Sequence, residues 1–295
     1  MKALRIDGKE IAAQIKAEVL SETVRLKKER GIVPGLAFIL VGDDPASQSY
    51  VRSKGKACDE LGFSSITEKL PAAVSRDVIL ALIRRLNADP AVHGILVQLP
   101  LPPGLNEYEV IEAIDFRKDV DGIHPLNVGR LVLGLECFRP CTPAGVQELL
   151  MRSGHDPSGK HVVVVGRSNI VGKPVMNMLL QKRPGANAVV TIAHTGAGDI
   201  TRYVREADIV IAAIGKAGAI TGEMLKPGSV VIDVGINRVE DASQPKGYRI
   251  AGDVDYPSAS EVAAAITPVP GGVGPMTIAM LMQNTLRAAA GSVYP

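Results

Sequence analysis

Four valines, Val162 to Val165, run into Gly166-Arg167-Ser168-Asn169-Ile170-Val171-Gly172-Lys173-Pro174. β-Branched residues favour a buried strand, and glycines at its end let the chain turn into a helix whose first amides can cradle phosphate. The spacing departs from G-x-G-x-x-G, since Ser168 stands where the second glycine would be and Gly172 comes later than the pattern puts it. The next apolar run, Ala188-Val189-Val190-Thr191-Ile192-Ala193, closes in His194-Thr195. An NAD site carries Asp or Glu at that place to bind the ribose 2′-hydroxyl. With no carboxylate there, and with Arg167 directly after the first glycine, a 2′-phosphate is the better match and NADP the better cofactor. An ordinary strand-to-helix turn with a solvated Arg167 would use the same residues.

Three further places hold side chains able to do chemistry. Tyr50 and Lys54 are four apart in Ser49-Tyr50-Val51-Arg52-Ser53-Lys54-Gly55-Lys56, hence on one face of a helix. Gln98 ends the apolar run Gly94-Ile95-Leu96-Val97 just before Leu99-Pro100-Leu101-Pro102-Pro103. A buried amide there must find partners: it either caps the proline-rich turn or faces a cleft at the carboxyl end of a strand. Asp121 lies in Asp119-Val120-Asp121-Gly122, at minimum a turn; as a site residue it can accept hydrogen bonds from an amino-pyrimidine edge. The Asp-x-Asp-Gly pattern does not make a calcium loop, because the glycine offset is wrong and no glutamate closes twelve residues.

These residues need elements to hold them. Apolar residues at helical spacing predict a helix from Lys9 to Arg30, preceded by Asp7 and stopped by Gly31. Leu36 to Val41 reads as a buried strand, and Asp44-Pro45 as the N-cap and first-turn proline of a helix from Ala46 to Leu61. Gly55 inside that helix costs about 1 kcal/mol against alanine, which a close approach at the helix surface would explain. A strand at 65–70, a helix at 75–87, a strand at 94–98 and a helix at 106–114 continue the alternation expected of a parallel sheet. Asn127 to Arg139 looks irregular and serves as the domain junction. Thr142-Pro143 then opens a helix to Arg152. Strands follow at 162–165, 188–193, 208–214, 229–234 and near 249–251, with Gly215, Gly235 and Gly252 behind the last three. The Pro- and Gly-rich stretch 267–277 is a shaped loop, and a buried final helix, 276–290, returns to the first domain.

At 295 residues, 46% of them hydrophobic, the chain can fill two cores. A net charge of +2, no Trp, four Phe and no long basic run argue against a nucleic-acid surface. No stretch nears the roughly 18 apolar residues of a membrane span, and no signal peptide is visible, so the protein is expected in the cytosol. Cys58, Cys137 and Cys141 are too few for a disulfide framework and lack the partners of a zinc site, so they read as packing thiols and no metal is expected.

The segments Val41-Gly42-Asp43-Asp44-Pro45-Ala46-Ser47, Tyr50-Val51-Arg52-Ser53-Lys54, Gly94-Ile95-Leu96-Val97-Gln98-Leu99-Pro100-Leu101-Pro102, Lys118-Asp119-Val120-Asp121-Gly122, 166–174 and Pro268-Val269-Pro270-Gly271-Gly272-Val273-Gly274-Pro275-Met276-Thr277 are jointly specific. Over essentially its full length the chain resembles the bifunctional methylenetetrahydrofolate dehydrogenase/cyclohydrolases. The resemblance implies an α/β protein of two domains, with an N-terminal α/β catalytic and folate-binding domain (1–139 plus 276–295) and a C-terminal Rossmann-like NADP-binding domain (140–275). It also implies a cleft between them and a homodimer. The implied activity is oxidation of 5,10-methylenetetrahydrofolate followed by hydrolysis of the methenyl product to 10-formyltetrahydrofolate.

Carried over by motif, Lys54 is the central catalytic residue, Gln98 supports it, Tyr50 stacks on the aromatic part of the folate and Asp121 holds the pterin. Gly271 and Gly274 fall on the substrate side. Gly166, Arg167, Ser168 and Thr195 face the NADP phosphates, and Ile236 closes over the nicotinamide side. Thr195 varies mildly from the family pattern, leaving His194 as a second contact for the 2′-phosphate. Hydride loss leaves an amidinium cation, a step governed by positioning. Hydrolysis needs proton transfers that one group of tunable pKa can serve. Lysine, ordinarily near ~10.4, fits if burial and the cationic substrate push it down. Two rival readings remain at this level: an NADP dehydrogenase of similar layout acting on another carbonyl or imine, and a dinucleotide-sensing module without turnover. The first gives no reason for Tyr50, Lys54, Gln98 and Asp121 together; NADP binding without turnover on methylenetetrahydrofolate would favour the second.

Overall fold

A computed structural model describes residues 2–244 and 247–294. Strand β1 (Leu4–Arg5) leads into helix α1 (Gly8–Arg30). Asp7 caps it, its Oδ1 accepting from the amides of Lys9 (2.9 Å) and Glu10 (3.3 Å), and Lys27, Lys28 and Arg30 complement the dipole of its last turn. Next come β2 (Gly35–Val41), α2 (Pro45–Glu60), β3 (Ser64–Leu70), α3 (Arg76–Ala88) and β4 (Gly94–Val97). The strands form a parallel sheet in the order β3-β2-β4, with Phe38 opposite both Thr67 and Leu96. Every residue of the central strand β2 is buried, as the continuous apolar run Leu36–Val41 requires, whereas the edge strand β3 has no fully buried residue and leaves Lys69 exposed.

Helices α4 (Glu107–Glu112), α5 (Pro125–Val132) and α6 (Cys141–Arg152) follow. The stretch Asn127–Arg139, expected to be irregular, contains most of α5. Its start was hidden because the cap is a histidine: His124 Nδ1 accepts from the Leu126 amide at 3.0 Å, and Pro125 fills the first helical position. Helix α6 starts at Cys141, so Thr142 lies inside the helix rather than capping it, and its hydroxyl is shared with that of Thr277 at 2.9 Å.

The remaining elements are β5 (His161–Val165), α7 (Gly172–Leu179), β6 (Val189–Ala193), α8 (Thr201–Val204), β7 (Ile209–Ala212), β8 (Val230–Asp233), β9 (Asn237–Glu240), β10 (Tyr248–Ala251), α9 (Tyr256–Ser260), β11 (Ala265–Ile266) and α10 (Val273–Ala290). A six-stranded parallel sheet runs β1-β11-β8-β7-β5-β6. Strand β10, read from sequence as a further short strand, pairs antiparallel with β9 in a separate hairpin. Helix α10 begins at Val273, so Gly274 and Pro275 belong to its first turn and not to a loop.

The chain divides into two compact units, residues 1–13 with 142–277, and residues 14–141 with 278–295. Residues 1–13, placed by sequence with the first domain, group with the dinucleotide-type sheet because β1 pairs with β11, Leu4 opposite Ala265. One core, built on Val163, Val165, Val210, Ala212, Val231 and Ile266, fills that unit; another, around Ala37, Ile39, Ile83, Ile95 and Val97, fills the second. Among the described residues no helix is long and apolar enough to cross a membrane.

Candidate active site

In the unit of residues 14–141 and 278–295, α2 presents the lysine. Asp44 caps the helix by accepting from the Ser47 amide at 2.7 Å, with Pro45 in the first turn. The buried stripe Ser47, Val51, Lys54, Ala57 and Cys58 faces inward at helical spacing. Lys54 is thus only 8% exposed. Its Nζ donates to Gln98 Oε1 at 3.0 Å, and Gln98 Nε2 donates to the carbonyl of Leu99 at 2.8 Å. One end of the Gln98 amide thus bonds the start of the proline-rich turn, as the capping reading expects, and the other accepts from the Lys54 amine. Burial lowers the Lys54 pKa, while the Asp121 carboxylate acts in the opposite direction. Tyr50, one turn earlier, is 42% exposed. A Cβ on Gly55 would meet nothing within 4 Å, so no close approach explains that glycine.

Asp121 is half-buried and sits on a loop fixed on both sides. Before it, the buried carboxylate of Asp119 accepts from the His124 amide and Asn127 Nδ2, both at 2.8 Å, and Asn127 is in turn bonded by the Tyr294 hydroxyl. The carbonyl of Val120 accepts from Asn284 Nδ2 at 2.9 Å and from the Cys141 thiol at 3.3 Å. After it, Gly122 has φ +73°, and a Cβ there would lie 2.5 Å from the Arg139 carbonyl carbon. Burial pushes Asp119 up to about 6 and raises the Cys141 thiol well above its ordinary value. Asp119, Asn127, Cys141, Asn284 and Tyr294 were not singled out as site residues from sequence. Asn284 and Tyr294 carried a signal, one an amide in an apolar helix and the other an aromatic at the chain end.

In the other unit, the loop after β5 has the close approaches expected of a phosphate cradle. Gly166 has φ +134°, and a Cβ on it would lie 2.0 Å from the Ala213 oxygen; one on Gly172 would lie 2.2 Å from the Gly166 oxygen. Ser168, at the place of the missing glycine, accepts from the amides of Val171 (3.2 Å) and Gly172 (3.3 Å), tying the turn to the start of α7. Arg167, Ser168 and Thr195 are exposed. The Arg167 guanidinium lies beside the turn at Gly196, whose amide donates to His194 Nδ1 at 3.1 Å. The ends of β5 and β6 therefore gather Arg167, His194 and Thr195, with no carboxylate on β6 or at its exit. Ile236, after β8, is 51% exposed. Gly271 is buried at φ +110° beside the Lys9 side chain, and Gly274 is half-buried with open space around it. Among the described residues no group of three or more His, Cys, Asp or Glu is placed to hold a metal ion.

Residues 6–121 match the family model for the catalytic domain of tetrahydrofolate dehydrogenase/cyclohydrolase, and residues 140–293 match the model for its NAD(P)-binding domain. The chain is 56% identical over 289 residues to the bifunctional protein FolD of Prosthecochloris aestuarii, covering 97% of this chain and 98% of that protein. Among solved structures, the bifunctional FolD dehydrogenase/cyclohydrolase of Campylobacter jejuni superposes with a TM-score of 0.92 at 48% identity, covering 98% and 99% of the two chains. The Trypanosoma brucei methylenetetrahydrofolate dehydrogenase-cyclohydrolase, solved with NADP cofactor and an inhibitor, reaches 0.94 at 42% identity and covers both chains completely. By both of its domains and along nearly its whole length, the chain belongs to the tetrahydrofolate dehydrogenase/cyclohydrolase family.

Proposed function

We propose that the protein oxidises 5,10-methylenetetrahydrofolate to 5,10-methenyltetrahydrofolate with NADP and hydrolyses the product to 10-formyltetrahydrofolate. The observation that carries this reading is the buried Lys54 amine, bonded to Gln98 at 3.0 Å and acted on by the Asp121 carboxylate, in a member of this family. The catalytic lysine belongs to the unit of residues 14–141 and 278–295; dinucleotide binding falls to the other, which also carries Gly271 and Gly274.

NADP supplies the hydride acceptor of the first step. The Gly166–Gly172 turn, so tight that a Cβ at either glycine would strike backbone, leads from β5 into the start of α7 as a pyrophosphate-binding loop does, and Arg167 with Thr195 suits a 2′-phosphate where a carboxylate would repel it. Ser168 spends its acceptor capacity on the α7 amides and keeps its O–H for a phosphate oxygen. Ile236 offers an apolar surface to the nicotinamide side. Tyr50, half-exposed, stacks on the aromatic part of the folate, Asp121 accepts from the pterin's amino-pyrimidine edge, and Gly271 and Gly274 let backbone lie close to the substrate.

Hydride loss from the methylene carbon leaves an amidinium cation spread over two nitrogens, so positioning dominates that step. In hydrolysis, water adds to the methenyl carbon and its proton passes to the neutral Lys54 amine. The carbon–N5 bond then breaks, N5 takes the proton back from the ammonium, and the remaining hydroxyl proton leaves as the formyl group forms. Burial makes the neutral amine accessible, and Gln98 Oε1 holds it in place. The protein acts as a cytoplasmic homodimer.

The test supplies methylenetetrahydrofolate with NADP or NAD in parallel and follows reduced cofactor together with formation and decay of the methenyl intermediate. Turnover with NADP followed by decay of the intermediate is expected. Equal use of NAD overturns the phosphate argument, and NADP binding without turnover overturns the enzymatic reading.

A further inference from the structure

Two buried carboxylates lie behind the ends of β7 and β8. Asp253 is 0% exposed. Its Oδ2 accepts from the amides of Ile214 (2.6 Å) and Gly215 (2.9 Å), and its Oδ1 from the Lys216 amide (3.0 Å) and Asn237 Nδ2 (2.8 Å). Asp233, also buried, accepts from the amides of Gly235 (2.9 Å), Asp253 (2.9 Å) and Val254 (3.0 Å). The backbone is shaped to these groups: a Cβ on Gly235 would lie 2.3 Å from Asp253 Oδ1, and one on Gly252 would lie 1.9 Å from Asp233 Oδ2. A buried carboxylate is costly unless fully bonded. Here the bonds run to the loops at the carboxyl ends of two neighbouring parallel strands, where ligands of such sheets meet the protein.

Ile236 is the residue this arrangement leaves outward. Its neighbours on either side are tied down, Gly235 by its amide to Asp233 and Asn237 by its side chain to Asp253, while Ile236 itself remains half-exposed. We propose that Asp253 is a positioning residue for hydride transfer: one carboxylate locks the loops 214–216 and 235–237 in register, so that Ile236 and the Gly215 backbone offer a rigid wall to the nicotinamide. This rests on the reading above that Ile236 meets the nicotinamide side. Asp253 touches neither folate nor cofactor, and acts through those loops.

The two activities separate the claim from a general structural role, because hydrolysis of methenyltetrahydrofolate, assayed directly without NADP, needs no nicotinamide. Asp253→Asn turns an NH2 group toward amides that need an acceptor. It should lower dehydrogenase kcat/KM for NADP by about tenfold to a hundredfold and leave hydrolysis within about twofold of the parent. A parallel fall in both activities, or no change in either, overturns the proposal. Should that variant not fold, Asn237→Ala removes one donor only; a smaller loss confined to the dehydrogenase supports the proposal, and an unchanged dehydrogenase overturns it. Parent enzyme inert toward methylenetetrahydrofolate and NADP would instead remove the functional reading beneath it.

Discussion

Lys54 is a lysine that water scarcely reaches, and its surroundings pull its proton affinity both ways. Burial favours the neutral amine, the Asp121 carboxylate favours the ammonium, and burial prevails. A residue that must take a proton from water and return it to nitrogen benefits from that balance. Lys54→Met removes the proposed proton carrier at similar length, so methenyl hydrolysis should fall by at least about a hundredfold in a direct assay; unimpaired hydrolysis would take Lys54 out of the mechanism. Asp121→Asn tests the second influence. Without the carboxylate the Lys54 pKa drops further, so the limb on which hydrolytic kcat rises with pH, measured at saturating substrate, should move to lower pH. A shift to higher pH would contradict the assignment.

The loop that carries Asp121 illustrates what an element can hide. It has neither helix nor strand periodicity, yet Asp119, Asn127, Asn284 and Tyr294 tie it down with hydrogen bonds from distant parts of the chain. That rigidity has a cost, since burial pushes Asp119 from 3.8 to about 6. The folded state then binds the proton more tightly than the unfolded chain. The contribution of this group to stability is full below about pH 4 and declines as pH rises toward 6. That rise in proton affinity is worth about 3 kcal/mol. Asn at 119 does not titrate, so the unfolding free energy of the parent minus that of Asp119→Asn should decrease between pH 4 and 6 in urea titrations. A difference independent of pH would mean Asp119 is not the group responsible.

At the scale of the molecule, what could be read in advance was what short stretches decide for themselves. The Val162–Val165 run, the Leu36–Val41 run and the Asp44-Pro45 start of α2 are specified by residues within a few positions of one another. The two-residue strands β1 and β11 carry no pattern of their own and exist because neighbouring strands supply their hydrogen bonds. Helix α5 escaped because a histidine caps it. The same division applies to the candidate site. Tyr50 and Lys54 are related by one helical turn, whereas the bond from Lys54 to Gln98 spans 44 positions and that from Asp253 to the Lys216 amide spans 37. Such pairings exist only after folding, and here the family resemblance, not periodicity, anticipated the first and neither anticipated the second.

The chain passes from one compact unit to the other three times, after residues 13, 141 and 277. Cutting the gene at codon 141 would therefore not release two working halves: the first fragment would keep β1 without its partner β11 and would lack the Asn284 amide that ties down Val120 and Arg139. Neither fragment would hold a whole unit, because each unit draws on chain from both sides of position 141.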